Sequence, residues 1–164
     1  MHKQKLILNK PLAYLITIYF VGLIFGIILA KPSNLNINFS NKNYFVIFFS
    51  NYWYLFLIWI FGFSIISYFT TSLIVFFRAF IFGILLRVLF LSNFNKFMLM
   101  VFIELVFAFP LLIFTSYISI SLSKINFQSI FHKNLETINY NRYINLMFLI
   151  TIIVVIYSLI IYFN

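Results

Sequence analysis

The chain has 164 residues, no cysteine and only two acidic side chains, Glu104 and Glu136. The missing cysteine excludes a disulfide framework and a thiolate metal site, and leaves no mark of redox compartment. Aspartate is absent altogether, which removes the intramembrane aspartyl-protease signature, and no HExxH pairing occurs. Glycine appears 4 times and proline 3 times, too sparsely for a glycine-rich phosphate loop. Charged residues make up 8% of the chain, against about 25% in a typical soluble domain. So few charges cannot cover a water-facing surface, so a soluble enzyme is excluded. The apolar content excludes a disordered chain as well.

Apolar sequence fills the space that these absences leave. Hydrophobic residues reach 65%, aromatics 23%, and the mean hydropathy is +1.11. Phe, Ile, Asn, Tyr and Lys are abundant together, as AT-rich coding produces, so the 25 Phe are not read as that many functional aromatics. The expected fold class is an all-α integral membrane protein of the cell membrane, a single transmembrane domain over residues 1–164. Its bundle holds about five spanning helices at about 20 residues each. The apolar runs are continuous and about twice the length of a barrel strand, which excludes a transmembrane β-barrel.

The hydropathy pattern predicts helices near 11–30, 50–69, 71–91, 97–120 and 143–163. The polar cluster Ser67–Ser72 is read as the break between the second and third. A signal peptide is the rival reading of the first run, but its apolar core would be shorter, and Ala30-Lys31-Pro32 makes a poor cleavage site. Basic residues set the expected orientation. With the N-terminus inside, Lys3, Lys5, Lys10, Lys124, Lys133 and Arg142 are cytoplasmic, while Lys31, Lys42 and Lys96 are outside. The net charge of +9 is accordingly read as a membrane-surface signal, and no nucleic-acid partner is expected. In the polar inner stretch 121–142, Phe127, Ile130, Phe131, Leu135 and Ile138 recur at helical spacing, as in a helix lying on the lipid surface.

Little chemistry is on offer. His132 and Glu136 stand four apart and would share a helix face, but two ligands do not make a metal site. Neither metal, cofactor nor catalytic residue is expected, and the chain is read as a non-enzyme. Arg78, Arg87 and Glu104 are the ionisable groups inside the apolar runs, where a charge normally faces a partner or a pathway. By rise per residue, Arg87 and Glu104 lie at matching depths of about 6 and about 9 Å below the outer surface. Arg78 and Arg87 are nine residues apart, about two and a half turns, and face opposite ways. The expectation is therefore an Arg87–Glu104 intramembrane pair. Arg78 is left to reach the headgroups or a partner subunit. Gly22-xxx-Gly26 and Ala79-xxx-Gly83 read as close-packing motifs within the monomer. Tyr52, Trp53 and Tyr54 read as an interfacial aromatic belt at the outer end of the second helix.

The second and third runs carry a recognisable pattern. The stretch Asn51 through Trp59, Gly62, Ser64, Ile65 and Ile66, continuing to Phe76, Phe77, Arg78 and Gly83, resembles the stage II sporulation protein M family. Members of that family carry an Asn at a helix mouth and a Trp-x-x-Gly-x-Ser-like core. A long apolar helix with a basic residue and a Gly near its middle follows. Glu104-Leu105 is similar to the Glu-Leu of the next helix in the wider family, and the loop Lys31–Asn43 is shorter than the family's. The resemblance implies a non-catalytic scaffold of sporulation and engulfment in the mother-cell and septal membrane. Its partners would be membrane-anchored peptidoglycan hydrolases, the stage II sporulation proteins D and P. Asn51, Trp59, Gly62, Ser64 and Gly83 would then be motif and helix-packing positions. The alternative is a membrane subunit of a transporter or channel, using Arg78, Arg87 and Glu104.

Overall fold

A computed structural model describes residues 2–30, 43–92, 94–132 and 140–163, without the side chains of 2–9, 129–132, 140 and 142. Every element among them is helical: α1 (His2–Leu29), α2 (Tyr44–Phe61), α3 (Ser67–Ser92), α4 (Phe94–Ile103), α5 (Phe109–His132) and α6 (Tyr140–Phe163). A single π-helical segment, Glu104–Ala108, joins α4 to α5. Five stretches are long and apolar enough to cross a membrane: Lys10–Leu29, Tyr44–Phe61, Ser67–Ser92, Phe94–Gln128 and Tyr143–Phe163.

Boundaries differ from the hydropathy reading for local reasons. Helix α1 continues through Pro11 instead of opening there. Helix α2 starts at Tyr44, not near residue 50, because Asn43 caps it. The Asn43 backbone is extended, and its Oδ1 accepts from the Phe45 N–H at 3.1 Å, satisfying one of the free donors of a helix start. Tyr52, Trp53 and Tyr54 consequently sit mid-helix, not at the outer end where a belt was expected.

The break before α3 is also displaced. It falls at residues 62–66, whereas Ser67, Thr71 and Ser72 lie inside α3. Ser72 donates to the Tyr68 carbonyl of its own helix at 2.7 Å, whereas Ser67 and Thr71 meet Ser119 of α5. The actual turn uses Gly62 and Ser64. The Ser64 Oγ accepts from the Ile66 N–H at 3.2 Å, a local side-chain bond that competes with helix continuation.

The fourth run is one long rod with a defect. Pro110 has no N–H to return to the Val106 carbonyl, and its ring crowds that carbonyl. The turn before it widens, and the Phe109 N–H reaches back five residues to the Glu104 carbonyl. Beyond it, α5 runs to His132, so the expected polar inner loop begins as continued helix. The Lys124 side chain is exposed there. The expected surface-lying helix and the His132–Glu136 spacing fall mostly on residues 133–139 and on side chains outside the described set.

Helices α1 and α3 run parallel, and their contact is the closest in the bundle. Gly26 and Gly83 face each other so tightly that a Cβ built on Gly83 would lie 3.1 Å from the Gly26 Cα and would collide with the Leu23 carbonyl. Gly22 packs likewise on Phe76 and Ala79. Small residues at this spacing let two backbones approach. Helix α6 lies antiparallel on α2, with Tyr143 stacked on Trp59 at 5.8 Å and Tyr44 edge-on to Tyr162 at 6.0 Å. The core of the bundle is aliphatic around Leu15, Ile58, Val75, Leu89, Ile150 and Val154. The outer surface is apolar too: Phe148, Ile152 and Ile156 of α6 are all exposed. Contiguous apolar faces of this kind mark membrane or protein contacts.

Candidate functional site

The π segment places the first residue of its wide turn, Glu104, into the bundle with 6% of its side chain exposed. π-Helical turns of this kind occur frequently at functional sites. Both carboxylate oxygens are engaged. Oε2 accepts from Arg78 Nη2 at 3.0 Å, and Oε1 accepts from the Tyr19 hydroxyl at 2.7 Å. One carboxylate thus joins α1, α3 and the π segment. The Arg78 guanidinium lies between two rings, its Cζ 5.8 Å from the Tyr54 centroid and 5.7 Å from that of Phe82. That geometry adds cation–π attraction in a desolvated setting.

The pairing differs from the depth-matched expectation. Arg78, not Arg87, meets Glu104. Arg87 instead donates from Nη1 to the carbonyls of Ile27 and Ile28, at 2.6 and 3.3 Å. The face of the helix decides this. Ala79, Gly83 and Arg87 follow one another at four-residue spacing, so Arg87 belongs to the face that packs on α1. Opposite it, Arg78 looks towards the π segment, α2 and α6. The last carbonyls of α1 have no partners within their own helix, and a cation there also favours the helix dipole. Arg87 therefore caps a neighbouring helix. Likewise, Arg78 does not extend to the surface.

A cavity of about 350 Å³ opens beside the ion pair, with Asn51, Tyr54, Arg78, Glu104 and Tyr157 among its walls. Asn51 sits two turns into α2, not at a helix mouth, and its Nδ2 donates to the Ile47 carbonyl at 2.9 Å. Ser64 belongs to the turn before α3, and Gly83 to the α1 contact. Trp59 and Gly62 form a second polar junction. The Trp59 carbonyl accepts from the Tyr143 hydroxyl at 2.8 Å, and Gly62 leaves room for that hydroxyl. Beside it, Ser119 Oγ donates to the Ile58 carbonyl and meets Ser67 Oγ, both at 2.8 Å. This junction ties the end of α2 and the starts of α3 and α6 to the middle of α5, well away from the ion pair.

Tyr19, Tyr157 and Ser119 were not singled out by sequence reasoning, and Tyr54 only as part of an aromatic belt. Tyr19 did carry a signal. It lies in the middle of an apolar run, away from the interfacial positions where tyrosine concentrates. The described residues contain no cluster of three or more metal-ligating side chains. Comparison with protein-family models, curated proteins and solved structures gives no match to the chain.

Proposed function

We propose that the chain is a non-catalytic multi-pass membrane scaffold, inserted with its N-terminus in the cytoplasm. It would serve the assembly of peptidoglycan-remodelling partners during sporulation engulfment, as the resemblance to the stage II sporulation protein M family implies. The observation that carries this reading is the internal closure of the charges within the apolar helices. Arg78 and Glu104 neutralise each other, Tyr19 completes the carboxylate, and Arg87 caps α1. Charges held in this way tie helices into a rigid platform. The outward apolar side chains and the five long apolar helices support insertion in a bilayer.

Affinity capture of the tagged chain from cross-linked sporulating cells tests the scaffold. Recovery of the stage II sporulation proteins D and P supports it; recovery of an ATP-binding subunit without wall hydrolases overturns it. Reporter fusions test the orientation: a phosphatase at the C-terminus is active, and one near residue 125 is inactive. One observation favours the transporter or channel subunit as a second reading, namely that Arg78 and Glu104 border a cavity and are not sealed in solid packing. Solute flux through reconstituted vesicles that vanishes in Glu104→Gln would support it.

A further inference from the structure

Hydrogen-bond donors around Arg78 outnumber the acceptors that the described residues supply. A guanidinium carries five N–H donors. One of Arg78's reaches Glu104, and the others have no acceptor among the described residues. Tyr157 lies opposite on the cavity wall, 2% exposed, and its hydroxyl likewise makes no hydrogen bond among the described residues. Both groups line the cavity and are not sealed in solid packing, so what occupies the cavity can supply the partner that such polar groups call for. Asn51 commits its amide N–H to the Ile47 carbonyl, which leaves its carbonyl oxygen free to accept.

The rest of the cavity is hydrocarbon. Ile81, Leu85 and Met100 line it, and Ile81 is 47% exposed, so the trough reaches the outer surface of the bundle there. The cavity is therefore polar at one pole and apolar along its length. Charge selects among molecules of that shape. Glu104 already neutralises Arg78, so a second anion would leave an uncompensated buried charge, which is costly. A cation would meet the guanidinium. A neutral oxygen acceptor fits both constraints. About 350 Å³ lies near the lower end of ligand-pocket sizes, which suits one chain and not two. Water would satisfy the polar pole alone, since apolar cavity walls do not hold it.

We infer that this cavity binds a neutral single-chain amphiphile, whose head oxygen accepts from Arg78 and Tyr157 and whose hydrocarbon chain lies along Ile81, Leu85 and Met100. The site is independent of the scaffold reading. The full chain is reconstituted in nanodiscs of a two-chain diether phosphatidylcholine, and a monoacylglycerol bearing a diazirine on its chain is the probe. Photolysis followed by peptide mass mapping is expected to show saturable labelling at residues 81–85 and 99–103. Unlabelled monoacylglycerol competes, while an alkyl phosphate and an alkyl trimethylammonium of equal chain length compete at least tenfold less well. Tyr157→Phe, which removes a hydroxyl that bonds nothing among the described residues, weakens labelling at least threefold with an unchanged unfolding midpoint. Ala108→Leu, which fills the cavity beside Glu104, abolishes it. Labelling that never saturates, or that spreads equally over the outward face of α6, overturns the inference. Equal competition by a charged amphiphile does the same, as does an unchanged Tyr157→Phe variant. Should Ala108→Leu not fold, Tyr157→Phe and the competition series still decide.

Discussion

Arg78→Met leaves the Glu104 carboxylate inside the bundle with the Tyr19 hydroxyl as its remaining side-chain donor. Removing one partner of a buried ion pair costs about 3–5 kcal/mol. The Arg78 side chain is 14% exposed, so the lower end, about 3 kcal/mol, applies. Glu104→Met strands the guanidinium and costs about the same. The double variant removes both charges and fills their volume with unbranched apolar chains. It strands only the Tyr19 hydroxyl, at about 1 kcal/mol. The two single changes are therefore coupled by about 5 kcal/mol, with the double variant more stable than either single one. The assay is reversible unfolding in mixed micelles of dodecyl maltoside and dodecyl sulfate, followed by far-ultraviolet circular dichroism. A parallel cycle with Arg87→Met and Glu104→Met serves as the control. It is expected to be additive within about 0.5 kcal/mol, because Arg87 bonds α1 and shares no partner with Glu104. Arg78–Glu104 coupling below about 1 kcal/mol, or larger coupling in the Arg87 cycle, would refute this account of the charges.

Gly83→Val drives a side chain into the Leu23 carbonyl and the Gly26 Cα. Overpacking of this kind costs about 1–3 kcal/mol or more, so the thermal midpoint in micelles drops, while Phe77→Leu on the outer face of α3 leaves it nearly unchanged. Arg87→Met removes the cap of α1 and costs about 1–2 kcal/mol. Hydrogen exchange should then accelerate at the C-terminal end of α1, with the core of α3 still protected. Gly62→Ala pushes on the Tyr143 hydroxyl and is expected to destabilise by about 1 kcal/mol or more. Tyr143→Phe in the same chain should recover part of that loss, which the same unfolding midpoints measure.

Helix number and rough placement were legible because they rest on a local property. A run of apolar residues long enough to bury its backbone must form a helix wherever water is scarce, so the runs in the sequence correspond to five rods in the structure. Their ends depend on single bonds that hydropathy does not register: Asn43 capping α2, Ser64 closing the turn, Pro110 opening the π segment. Trp59 and Gly62 stood out as motif and packing positions, but nothing local in the sequence points to Tyr143 of α6 as their partner.

The three ionisable residues inside the runs were equally legible, since each is an exception to its surroundings. Their partners were not. Depth along an axis suggested Arg87 for Glu104, yet the four-residue spacing of Ala79, Gly83 and Arg87 had already assigned Arg87 to the glycine-rich face. Which neighbour that face meets is outside the reach of any single helix. The sequence by itself determined an apolar bundle of helices with charges at Arg78, Arg87 and Glu104. Only the tertiary structure decided that α1 lies on the Gly83 face, that Tyr19 reaches Glu104, and that a cavity opens beside Arg78. Hydrophobicity is a sum over residues along the chain, whereas an ion pair exists only where packing brings two particular faces together.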